Sequence, residues 1–148
     1  MDLQHLIPIL QVAVGPVILI SGVGLLLLTM TNRFGRVIDR SRELVEQVRS
    51  GKGDRARNEA QLQILWDRAR LLRTAIYLAG ASALLAASLV IVLFLGAKLS
   101  WNVAAAVGTL FVGCLAAICV SLLLFLRDLQ RSLRALALEL DINNTPRA

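Results

Sequence analysis

The chain alternates between long apolar runs and shorter charged segments. Three runs contain no Asp, Glu, Lys, Arg or His, and they lie between His5 and Arg33, between Arg73 and Lys98, and between Lys98 and Arg127. Each run exceeds the roughly 18 consecutive apolar residues that indicate a helix crossing the hydrocarbon core of a bilayer. The pattern therefore predicts three transmembrane helices, at about residues 6–32, 74–95 and 102–126.

The charged segment between the first and second predicted spans keeps a helical pattern. Apolar and small residues recur at spacings of three and four in two groups, which are Phe34, Val37, Ile38, Ser41, Val45 and Val48, and then Leu62, Leu65, Trp66, Ala69 and Leu72. This spacing is typical of one face of a helix, and the glycines at 51 and 53 indicate a turn between the groups. We predict a helical hairpin at residues 33–73, whose two stripes pack on each other as in an antiparallel coiled coil.

The remaining segments complete an all-α architecture. The link at residues 96–101 is so short that the second and third spans must be antiparallel neighbours. The predicted fold is a single membrane domain over residues 1–148, with three transmembrane helices, a cytoplasmic helical hairpin between the first and second, and a C-terminal cytoplasmic tail at 127–148.

Composition and charge support this architecture and orient it. The chain is 57% hydrophobic and 18% charged, whereas soluble domains have about 25% charged residues, so the composition argues against a water-soluble enzyme. Of the 16 Lys and Arg residues, 11 lie in the hairpin and four in the tail. Because Lys and Arg near span ends stay on the cytoplasmic side, we predict a multi-pass protein of the cell inner membrane with its N-terminus outside and its C-terminus in the cytoplasm.

The predicted spans offer no obvious catalytic chemistry. They contain no Asp, Glu, Lys, Arg or His, although proton relays and ion-coupled pumps place such groups within the membrane. The single histidine, His5, has only Asp2 as a near acid, and Cys114 and Cys119 have no partner at metal-ligand spacing. We therefore expect no catalytic, cofactor or metal site, and we expect that the protein is not an enzyme.

Small residues recur along each predicted span and predict close helix packing. They are Gly15 and Gly22 in the first span, Ala79, Ala83 and Ala87 in the second, and Thr109, Gly113 and Ala117 in the third. Small residues let helix backbones approach closely in lipid. This packing can join the spans of one subunit, or it can join subunits into a homo-oligomer, and both interpretations stay open.

Six arginines lie where the predicted spans meet the hairpin, namely Arg33, Arg36, Arg40, Arg68, Arg70 and Arg73. The first three share one helical face. One interpretation is an anchor that fixes orientation while the long side chains reach toward water. The other is a binding surface for anionic lipid head groups or an acidic protein partner. Nucleic acid is disfavoured as a partner, because aromatic residues that could stack on bases are nearly absent here.

One segment carries a family resemblance. Between Pro16 and Leu44 the chain has Ser21 and Gly22, then Thr31, Asn32 and Arg33, and then Arg36, Asp39 and Arg40. This order resembles the opening of an uncharacterised bacterial family of small membrane proteins, domain of unknown function two-seven-two-one (DUF2721). The resemblance extends over about residues 3–140 and implies a bacterial inner-membrane protein, but it supplies no activity.

Together these patterns favour a non-enzymatic inner-membrane scaffold or accessory protein. We expect it to self-associate, to face anionic lipid with its basic hairpin, and to bind a cytosolic or membrane protein partner of unknown identity. The alternative is a homo-oligomeric ion channel or pore, with Pro16 near its axis and Asn32 and Arg33 at its inner mouth.

Overall fold

Three long α-helices make up the fold in the computed structural model. The structure describes the backbone at residues 3–51, 55–99 and 102–144, and the side chains at residues 7–8, 10–51, 58–99 and 102–132. Helix α1 is Leu3–Arg49, α2 is Arg55–Leu99 and α3 is Ala104–Asn144. These helices have 47, 45 and 41 residues. At 1.5 Å per residue they are about 60–70 Å long, roughly twice the 30 Å hydrocarbon thickness of a bilayer.

Each helix contains a stretch that is long and apolar enough to cross a membrane. The all-α fold and the three candidate spans are thus confirmed. Helix α1 continues without a break through Pro8, Pro16 and the end of its apolar run to Arg49, and α2 likewise carries both charged and apolar residues. We refer to residues 33–49 of α1 and 55–73 of α2 as the charged arms.

Helix α2 is the centre of the fold. It packs along α1 and along α3, whereas α1 and α3 contact each other little. Buried residues recur every seven positions on the outer helices, at Val23, Met30, Val37 and Leu44 on α1 and at Cys114, Ser121 and Asp128 on α3. Those of α2 alternate spacings of three and four, at Leu72, Ala75, Ala79, Ser82, Ala86 and Leu89. A seven-residue period keeps one seam of a helix facing its neighbour over many turns.

Two buried clusters show how α1 meets α2. In the apolar part, Val23 and Met30 pack on Ala75 and Ala79. In the charged arms, a second cluster comprises Val37, Ala69 and Leu72, with Phe34, Ile38 and Leu65 packed around it. Phe125 of α3 packs on both clusters. The core is therefore continuous from the apolar part into the charged arms.

The small residues predicted as packing ridges occupy different environments. Ala79 is fully buried, and Ala83, Ala87, Gly113 and Ala117 are half-buried. Gly113 packs toward Leu85, whose δ-methyl lies 3.7 Å from the position of a Cβ on the glycine. Gly15, Gly22 and Thr109 are exposed on the single subunit. The ridge on α2 thus contributes to packing within the subunit, while the three exposed residues remain available to another subunit.

Two glycines are required by the backbone. Gly51 has φ of 65° directly after α1, in the left-handed region that glycine occupies without strain. Gly96 is buried near the end of α2, and a Cβ at this position would overlap the side chain of Val103, just before α3. The absence of a side chain at Gly96 lets the two helices approach where the chain reverses.

We predict that Gly96→Ala lowers the unfolding temperature of the protein in detergent. Alanine is normally better than glycine in a helix by roughly 0.5–1 kcal/mol, but overpacking against Val103 costs about 1–3 kcal/mol. Gly24→Ala is the matched control, because nothing lies within 4 Å of its Cβ position, and it should leave the unfolding temperature equal or higher. Equal effects of the two substitutions would contradict the close approach at Gly96.

Candidate functional site

Four arginines from two helices surround one open cleft at the start of the charged arms. Arg33, Arg36 and Arg40 come from α1 and Arg68 from α2, and Val37 and Leu65 complete the lining. The cleft has a volume of about 220 Å³. The α1 residues share a face because spacings of three and seven return to the same side of a helix. We call this site the arginine cleft.

Arg68 is paired with a buried carboxylate of α3 that lies outside the cleft lining. Its Nε donates a hydrogen bond to Oδ1 of Asp128 over 3.2 Å. The Asp128 side chain is fully buried, and that of Arg68 is 21% exposed. A guanidinium has four N–H donors besides the one on Nε. Arg68 can therefore be fixed by Asp128 and still present donors to a ligand in the cleft.

The second carboxylate oxygen of Asp128, Oδ2, is buried and has no hydrogen-bond partner among the residues that the structure describes. A buried carboxylate is costly unless it is paired, because the interior solvates charge poorly. The pair with Arg68 is thus the interaction that offsets the burial of this charge.

Arg33 is also positioned by α3. Its Cζ lies 5.7 Å from the centroid of the Phe125 ring, within the range of a cation–π interaction worth about 0.5–1 kcal/mol or more. Residues 125 and 128 lie on the same side of α3, one turn apart. One turn of α3 therefore positions an arginine from α1 and an arginine from α2.

Arg36 and Arg40 form the exposed rim of the cleft. Nη1 of Arg40 pairs with Oε2 of Glu43 at 2.7 Å, and both side chains are more than half exposed, at 55% and 57%. Exposed pairs contribute about 0–1 kcal/mol. This pair is weak enough for Arg40 to exchange Glu43 for another anion.

Arg70 and Arg73 lie apart from the arginine cleft. They line a different open cavity with Phe34, Ile38 and Trp66. Arg73 places Cζ 5.3 Å from the Tyr77 ring centroid, and its Nη2 donates a hydrogen bond to the Tyr77 hydroxyl over 3.4 Å. The structure thus brings together four of the six arginines singled out from the sequence and separates the other two.

An apolar groove lies between the charged arms. It has a volume of about 860 Å³, and its lining includes Ile38, Val45, Leu62 and Trp66. Trp66 is 71% exposed. The stripes predicted to pack on each other therefore do so in part, through Val37, Ala69 and Leu72, and otherwise line this open groove.

Sequence reasoning missed Asp128 and Phe125. A signal for Asp128 does exist, because it continues the seven-residue series of Cys114 and Ser121 on α3. Cys114 donates to the Ser82 carbonyl over 3.2 Å, and Ser121 donates to the Ala75 carbonyl over 2.6 Å. The partners on α2, including Arg68, are also seven residues apart. The ion pair is the last of three regularly spaced polar contacts.

We predict that Asp128→Ala destabilises the protein by about 3 kcal/mol, because it leaves a mostly buried Arg68 unpaired. Unfolding by denaturant in mixed micelles measures the change. The double variant Arg68→Met, Asp128→Leu should recover much of the loss, since two apolar side chains leave no buried charge. If the loss of stability in the double variant equals the sum of the losses in the two single variants, Arg68 and Asp128 do not stabilise the protein as a pair.

Comparison with known proteins places the chain in a family. No curated protein and no solved structure matches it significantly. A family model described as protein of unknown function (DUF2721) matches residues 13–138. The match includes most of α1, all of α2 and most of α3, and therefore every residue of the arginine cleft together with Asp128. The chain belongs to the DUF2721 family of proteins of unknown function.

Proposed function

We propose that this protein is a non-enzymatic scaffold or accessory protein of a bacterial inner membrane, which self-associates and presents its charged arms to anionic lipid or to a protein partner. The observation that carries the proposal is the arginine cleft. Its first residue, Arg33, directly follows the apolar run of α1, so the cleft lies at the depth where phospholipid head groups meet the protein.

The buried polar side chains support a structural protein. Cys114, Ser121 and Asp128 each contact α2, through Ser82, the Ala75 carbonyl and Arg68. Interhelical contacts of this kind hold transmembrane helices in register. In other proteins thiol, hydroxyl and carboxylate groups take part in catalysis. In this protein these three groups join one helix to another.

The orientation follows from charge. With the charged arms, the turn between them and the tail in the cytoplasm, 15 of the 16 Lys and Arg residues lie inside, in agreement with the positive-inside rule. The cytoplasmic leaflet is the one that carries anionic lipid. The charged arms then form a cytoplasmic hairpin whose arginine cleft faces this leaflet.

Two surfaces suit further protein contacts. Gly15, Gly22 and Thr109 are small and exposed, and small residues on lipid-facing helices favour association of subunits. The groove beside Trp66 exposes apolar side chains next to charged ones, and apolar surface bordered by polar residues is typical of protein interaction sites. The first surface supports self-association and the second supports a partner on the charged arms.

The orientation gives a labelling prediction. In a background with Cys114→Ser and Cys119→Ser, an impermeant thiol reagent applied to intact cells should label Asn102→Cys and leave Ser50→Cys unlabelled. Both positions are exposed, and Ser50 directly follows α1 whereas Asn102 lies just before α3. Permeabilised cells, in which both should react, provide the control. The reverse pattern in intact cells would exclude a cytoplasmic hairpin.

The scaffold proposal is tested with purified protein in liposomes and in mild detergent. Liposomes that contain the protein should show the same ion flux as protein-free liposomes, and the mass of the intact complex should correspond to several copies of the chain with bound lipid. Reproducible flux above the protein-free level would favour a homo-oligomeric channel instead. A single subunit without lipid would contradict both self-association and lipid binding.

A further inference from the structure

We infer that the arginine cleft is a defined site for one phosphate group, and that Asp128 prepares it by positioning Arg68. The inference deepens the proposed function, because it rests on the charged arms facing anionic lipid and replaces a diffuse basic surface with a site of fixed composition. The phosphate can belong to a phospholipid head group or to a free phosphate compound, and the experiment below separates these sources.

The charges around the cleft fit a phosphate group. Among the described residues that line it, four are cationic and none is anionic. Among the described residues, two acids contact these arginines from outside the lining, namely Asp128 behind Arg68 and Glu43 beside Arg40. The arginines therefore outnumber these acids by about two charges, which attracts both a phosphate monoester, at about −1.5 to −2 at neutral pH, and a phospholipid phosphodiester, which carries a single negative charge. A bound phosphate group would relieve the repulsion among the guanidinium groups.

The type of side chain also fits. A guanidinium presents a planar fork of N–H donors that matches the oxygens of a phosphate in pairs, which an ammonium group cannot do. All four cations of the cleft are arginines. The cleft has a volume of about 220 Å³, whereas a single water needs only about 10–15 Å³ on this measure, so there is room for a partly hydrated phosphate group.

Two of the four arginines are positioned before any ligand binds. Arg68 is held by the carboxylate of Asp128 and Arg33 by the ring of Phe125. A fixed side chain loses less conformational freedom on binding, which strengthens the complex. Arg36 and Arg40 are exposed, so they can close over a ligand that the inner pair has received. Asp128 is thus a positioning residue, since Arg68 stands between it and the cleft.

Because Asp128 positions Arg68, its substitution should change anion binding in the direction opposite to that expected for a diffuse basic surface. On a diffuse basic surface, loss of any acid strengthens the binding of anions, because the net positive charge rises. In a preorganised site, Asp128→Asn instead weakens binding, because the neutral amide holds the guanidinium of Arg68 less firmly. Asp39→Asn is the matched control, since it removes the same charge from an exposed position on α1.

The experiment uses the full-length protein in neutral detergent and two probes. Phosphatidylglycerol retention is measured by the mass of the intact complex across a lipid titration, and inorganic phosphate binding by calorimetry. The double variant Arg36→Gln, Arg40→Gln should lower the apparent lipid affinity about tenfold or more. The double variant Arg42→Gln, Arg49→Gln removes two exposed charges from the same helix outside the cleft, and it should change the affinity less than about twofold.

The possible results distinguish a defined site from a diffuse basic surface, and a lipid ligand from a free phosphate compound. Loss of lipid in the cleft variant and in Asp128→Asn, but not in the two controls, supports the site. Binding of inorganic phosphate with the same variant pattern assigns the ligand to free phosphate compounds, whereas retention of phosphatidylglycerol alone assigns it to lipid. Equal losses in both double variants would overturn the defined site and leave the proposed basic surface in place.

Stability does not obscure the comparison of the two double variants, because the substituted arginines are exposed and their replacement leaves the core unchanged. Helical content by circular dichroism and the unfolding temperature check each variant, and if Asp128→Asn unfolds, the two double variants still decide the site. If the parent protein binds neither probe, the site is excluded. Ion flux through liposomes or the mass of a single subunit is the separate outcome that would overturn the proposed function.

Discussion

The pairing of Asp128 with Arg68 is the interaction on which the arrangement of the charged arms depends. A fully buried carboxylate needs a cation nearby, and α2 supplies one at a single position. A rotation of α3 by one residue, about 100°, would remove Asp128 from Arg68 and would also separate Ser121 from the Ala75 carbonyl. The pair therefore fixes the register of α3, and with it the placement of Phe125 under Arg33.

The apolar part of the fold supports this register through small side chains. In lipid there is little net apolar attraction between helices, so close packing and short polar contacts determine which faces meet. Ala75, Ala79 and Ser82 are fully buried on α2, and they let α1 and α3 approach the central helix. The three polar contacts between α2 and α3 recur every seven residues, so the apolar part and the charged arms share one packing geometry.

The arginine cleft and the groove beside Trp66 share two helices. The cleft is lined by α1 and α2, and α3 contacts two of its arginines through Asp128 and Phe125. The groove is lined by residues of α1 and α2 as well. A ligand in the cleft and a ligand in the groove would therefore contact the same pair of helices.

The sequence by itself determined the helices, because helix formation and membrane insertion depend on local hydrophobicity and period. It predicted three apolar spans, the helical character of residues 33–49 and 55–73, and the arginines at their junction. It also indicated the family, through the residues from Pro16 to Arg40. Only the tertiary structure decided which arginines meet, because Arg68 and Arg70 are two residues apart in sequence and therefore about 200° apart around α2. Likewise, the position of Asp128 just after an apolar run suggests a charge that faces solvent. Only the packing of α3 on α2 buries it against Arg68.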